Sequence, residues 1–159
     1  MAERQEAELA NAPRRILVPV DDEPRGCPAL ARAEALAGAL GAELLLLGVN
    51  TLPLTADTAA PSAVLTSAEP DAAQDAVERM TRERVAEAQH RIPSGVPSRA
   101  VFGWGPAGAA IVDVAREERA DLIVVPMMRG GALSHLLHDG ADRHVLHESG
   151  VPVLVVPTP

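Results

Sequence analysis

Four runs of consecutive apolar residues, at 16–20, 44–49, 122–125 and 151–156, decide what this chain can fold into. A strand covered on one face alternates apolar with polar residues, whereas unbroken runs of this length fit strands buried on both faces. A fifth strand is expected over residues 97–102. Helical stretches separate the runs. Pro28 stands where a first helical residue is favoured, Ala33, Leu36, Ala37 and Leu40 follow at helical spacing, and Gly41 stops the helix. Residues 71–91 form a second helix, with Val77, Met80 and Ala88 on one stripe and Glu78–Arg82 as an i,i+4 pair. Gly105-Pro106 opens a third, with Gly108, Ile111, Val112 and Ala115 facing inward, and a short fourth spans 141–149. Strand and helix in alternation predict an α/β fold, a doubly wound parallel sheet with helices on both faces.

The 159 residues make one domain, a polar tail over 1–13 followed by a single folded unit over 14–159. Residues 51–70, rich in Ala, Thr, Ser and Pro without periodicity, read as a long irregular connection. What is missing limits the chemistry. All 14 basic residues are arginine, and there is neither lysine nor tyrosine. That excludes a Schiff-base enzyme, a P-loop NTPase with its phosphate-reaching lysine, and any mechanism needing a tyrosine acid. A net charge of −8 opposes nucleic-acid binding, which depends on neutralising phosphates. No apolar run approaches the roughly 20 residues of a membrane span, and the acidic start is no signal peptide. With a lone Cys27 and so no internal disulfide, the chain reads as cytoplasmic.

In doubly wound sheets ligands bind beyond the carboxyl ends of the strands, where the winding reverses. The segments expected there are 21–25 and 127–131. Ile16-Leu-Val-Pro-Val-Asp21, Gly105-Pro106-Ala107 with Ile111, Asp121-Leu-Ile-Val-Val125 and Val151-Pro-Val-Leu-Val-Val156 stand in an order and spacing that resemble the universal stress protein family, from Arg15 to Val156. The resemblance implies a Rossmann-like five-stranded sheet of order 3-2-1-4-5. It also implies a homodimer that pairs last strands, and a crevice for ATP, AMP or another adenine nucleotide with Mg²⁺. Pro19, Asp21 and Val49 fall at its purine- and ribose-contacting positions. A response-regulator receiver domain, which the same acidic turn resembles, is excluded because Pro126 occupies the phosphoacceptor position.

Nucleotide-binding relatives carry Gly-x2-Gly-x9-Gly-Ser/Thr after the fourth strand. Glycines let backbone approach phosphate oxygens, and the next helix offers unpaired amides. Here the spacing is met by Gly130 and Gly140-Ala141, which puts Met127 at the first glycine and Ala141 at the hydroxyl. Without gaps, the motif positions become Pro126, Arg129, Asp139 and Gly140. In both registers the first glycine and the Ser/Thr are missing. Arg129 offers a guanidinium to phosphate in partial compensation.

Two functional readings follow besides the degenerate nucleotide crevice. A slow ATP hydrolase would hold phosphate with Arg129 and the Gly130 and Gly140 amides and use Asp21 as the acid. A protein-interaction module would dock a client on Met127-Met128 and the 51–70 connection. His135, His138, His144 and His147 form two i,i+3 pairs, read as a solvated surface, not a metal site. Cys27 reads as a small buried filler, and Trp104, between Gly103 and Gly105, as packing for the long connection ahead of covering the crevice.

Overall fold

The computed structural model describes residues 12–20, 27–51, 70–127 and 141–157. Within them the elements run β1 (Arg15–Pro19), α1 (Pro28–Leu40), β2 (Glu43–Asn50), α2 (Pro70–Arg91), β3 (Ser98–Trp104), α3 (Ala107–Glu117), β4 (Leu122–Met127), α4 (Ala141–Glu148) and β5 (Val153–Pro157). The five strands are all parallel in the order β3-β2-β1-β4-β5, as the resemblance implies. The 51–70 connection and the 127–131 turn fall outside the described residues, except for Thr51, Pro70 and Met127.

Both faces of the sheet are covered, which is why its strands read as unbroken apolar runs. On one face Ile16, Val18, Leu44, Leu46 and Val124 pack against Ala29, Leu30, Ala33 and Ala37 of α1 and Val85 and Ala88 of α2. On the other, Leu17, Leu45, Leu47, Ile123 and Val125 meet Ile111, Val112, Val114 and Ala115 of α3 and Val145 of α4. The small alanines on α1 let its backbone lie close to the sheet. Pro28 opens α1 and Gly41 closes it, as the sequence predicts.

The stripe expected on α2 needs a correction. Met80 is 61% exposed, while Thr81, Val85 and Ala88 are buried. The cause lies across the interface at Gly48. A Cβ there would stand 2.6 Å from Thr81 Cγ2, 2.9 Å from Val85 Cγ2 and 2.9 Å from Phe102 Cδ1. Because β2 leaves that space empty, α2 turns Thr81 and Val85 into it and Met80 out to solvent.

The amino ends of the strands carry a charge network. Glu43 accepts from Arg99 at 3.3 Å and lies 3.6 Å from Arg15, while Arg99 donates to Glu118 at 2.8 Å. Asp121 Oδ2 accepts from the backbone N–H groups of Arg14 and Arg15, tying the start of β1 to the start of β4. These contacts leave the opposite, carboxyl end for function. β5 starts two residues later than expected, after Ser149 Oγ donates to Val151 O and Ile123 N–H to Pro152 O.

Candidate functional site

The winding reverses between β1 and β4, so the position at which doubly wound sheets take a ligand lies above their carboxyl ends. Pro19 is the buried last residue of β1, opposite Leu47 of β2. Just past it, the Val20 N–H donates to Leu47 O at 2.8 Å. β2 then continues for three more residues, Gly48, Val49 and Asn50, overhanging the end of β1. Strand alternation puts Pro19 on the face of Leu17 and Val49 on the face of Leu47, which is the same face. Val49 is half-buried against the α3–α4 core.

β4 keeps its pairing through Pro126 and Met127, opposite Val156 and Pro157. Ala141 is the first residue of α4. Asp21, Arg129, Gly130 and Gly140 lie outside the described residues. Of the seven expected site residues, then, the structure brings Pro19 and Val49 together and puts Ala141 at a helix start.

Sequence reasoning overlooked Asn50. It is 3% exposed, and its Oδ1 has no hydrogen-bond partner among the described residues. A buried acceptor left unpaired costs about 1–3 kcal/mol. Two donors near it in the chain are committed elsewhere. The Gly105 N–H donates to the backbone oxygen of Asn50 at 3.0 Å, and Thr51 Oγ1 donates to Gly105 O at 3.3 Å. Gly105 sits at φ +102°, which a residue with a side chain rarely adopts, so this clasp depends on glycine. The sequence shows only a polar residue closing an apolar run, a pattern that does not distinguish a buried carboxamide from a solvated one.

Trp104 lies directly across from Asn50 in the register of β2 and β3. The strand runs on through it, two residues past the expected end. Phe102 and Trp104, the chain's only aromatic residues, are 40% and 42% exposed on one face of this edge strand. The Arg82 guanidinium lies 5.9 Å from the Phe102 ring centre and is also tied to Glu78 at 3.0 Å. Cys27 is half-buried at the start of α1, packed against the core. No group of three or more His, Cys, Asp or Glu side chains suited to a metal occurs among the described residues. His135 and His138 lie outside them, and His147 is exposed. No helix among the described residues is long and apolar enough to cross a membrane.

A family model described as the universal stress protein family matches residues 13–157. No curated protein matches the chain. Among solved structures, a universal stress protein family member from Burkholderia pseudomallei is 25% identical, with a TM-score of 0.65 over 91% of this chain and 96% of that one. A universal stress protein in complex with cAMP is 23% identical, with a TM-score of 0.56 over 93% of this chain and 99% of that one. The Archaeoglobus fulgidus universal stress protein in complex with dAMP is 20% identical, with a TM-score of 0.55 over 89% of this chain and 96% of that one.

Proposed function

The chain belongs to the universal stress protein family, and from that premise we propose that it is a cytoplasmic, dimeric stress-response module whose crevice keeps the base end of an adenine-nucleotide site and has lost its grip on triphosphate. Similar structures hold cAMP and dAMP, which supports an adenine nucleotide as the ligand class. The observation that carries the proposal is the chemistry at the two ends of the phosphate loop. Whichever register is taken, the end of β4 offers Pro126 or Met127 where a glycine is needed. The start of α4 offers Gly140 or Ala141 where a hydroxyl is needed. A missing hydroxyl removes a hydrogen bond worth about 1.5–3 kcal/mol to a charged partner, and a side chain in place of the glycine keeps phosphate at a distance. Arg129 and the Gly130 amide recover part of the loss, with Pro19, Asp21 and Val49 left to hold the nucleoside.

On this reading each added phosphate contributes little. Calorimetric titration with ATP/Mg²⁺, ADP, AMP and cyclic AMP should give weak affinities within about a factor of ten of one another. Micromolar ATP affinity, abolished by Gly130→Glu, would overturn the proposal.

Dimerisation through β5 belongs to the same reading. Val153, Leu154 and Val155 are only half-buried, and β5 pairs on one side alone among the described residues. An open apolar edge of this kind favours a second copy.

A further inference from the structure

The β2–β3 ladder is fastened differently at its two ends. At the amino end the Leu44 N–H donates to Pro97 O at 2.8 Å, and the neighbouring Glu43 and Arg99 are ion-paired at 3.3 Å. At the carboxyl end the Gly105 N–H donates to Asn50 O at 3.0 Å, and Thr51 Oγ1 donates to Gly105 O at a long 3.3 Å. Strand alternation turns the Asn50 side chain to the α2 face, away from Val49. With the clasp closed that side chain is buried, and its Oδ1 has no partner among the described residues.

Two effects therefore oppose each other at one place. Closing the clasp makes its two hydrogen bonds, one of them long, and strips water from an acceptor that gains nothing in exchange. Opening it returns Oδ1, the Thr51 hydroxyl and the Gly105 amide to water together. Gly105 supplies the hinge, because glycine leaves a φ of +102° for either sign without a side-chain penalty. We infer that the Asn50–Thr51–Gly105 clasp is a two-state joint, whose closed form is held close to balance with the open one by the unpaired Asn50 carboxamide. Opening releases the β2 end that carries Val49 and the chain leading into α3, so the joint sets how firmly that end of the sheet is held. It needs no nucleotide and stands whether or not one binds.

Amide hydrogen exchange of the full chain, followed by NMR at several low urea concentrations, tests the inference. After correction for intrinsic rates, the parent's Gly105 amide should exchange at least about tenfold faster than its Leu44 amide. Its rate should also be insensitive to urea, because a local opening exposes little surface. In Asn50→Leu, which keeps the size and removes the unpaired acceptor, the Gly105 amide should slow about tenfold. A parent in which the Gly105 and Leu44 amides are equally protected and respond alike to urea overturns the inference, since that end would open only with the rest of the ladder. A Gly105 amide that is unchanged or faster in Asn50→Leu also overturns it, since burial would then cost the carboxamide nothing. If Asn50→Leu does not fold, the parent's rates and their urea dependence decide.

Discussion

Gly48 shows how one missing side chain orients a whole helix. Thr81, Val85 and Phe102 occupy the volume a Cβ would need, so Gly48→Ala should destabilise the fold by about 1–3 kcal/mol, the usual cost of overpacking. Urea unfolding would measure it, and Gly48→Ala/Thr81→Ser, which removes the closest clashing methyl, should recover part of the loss. Unchanged stability in the single variant would contradict this packing. Glu118 is the second informative residue. Its hydrogen bond from the Arg99 guanidinium holds the carboxyl below the usual glutamate range. A lowered folded-state value means the contribution is complete above the unfolded-state value and disappears as pH falls through the folded-state value. Because the pair is partly solvated, its worth is about 0.2–1 kcal/mol. Glu118→Gln should therefore be less stable than the parent at neutral pH and low salt, with the difference vanishing in acid. A difference that grows in acid would reverse the assignment.

At the scale of elements, the strands and helices were legible because burial on both faces leaves little ambiguity in runs such as Leu44 to Leu47. Pro28 and Gly41 marked the ends of α1 for reasons local to the chain. The facing of α2 was not legible, since it depends on Gly48, more than thirty positions earlier in the sequence. Only part of the candidate site and its surroundings could be read in advance. Pro19 and Val49 came through the resemblance, while Asn50 emerged only when its burial and missing partner became visible. A polar residue at a strand end ordinarily faces water, so sequence pattern alone says nothing of an orphaned carboxamide. The open edge of β5 carries the element-scale prediction. Light scattering coupled to size exclusion should find a dimer at micromolar concentration, and a monomer there would remove β5 pairing from the account.

Across the whole molecule the two ends of the sheet divide the work. Arg15, Glu43, Arg99 and Glu118 tie the amino ends of three strands to the end of α3. The carboxyl ends carry an overhanging β2, the clasp of Thr51 and Gly105, and the Asn50 carboxamide oxygen, which has no partner among the described residues. On the proposed reading a small ligand would rest on the rigid strand ends, with the loops beyond them setting the grip. On that reading the grip no longer extends to a triphosphate. Its most direct test is to denature the freshly purified protein and quantify released nucleotide by chromatography. Far less than one ATP per chain is expected. ATP recovered at one molecule per chain would contradict it.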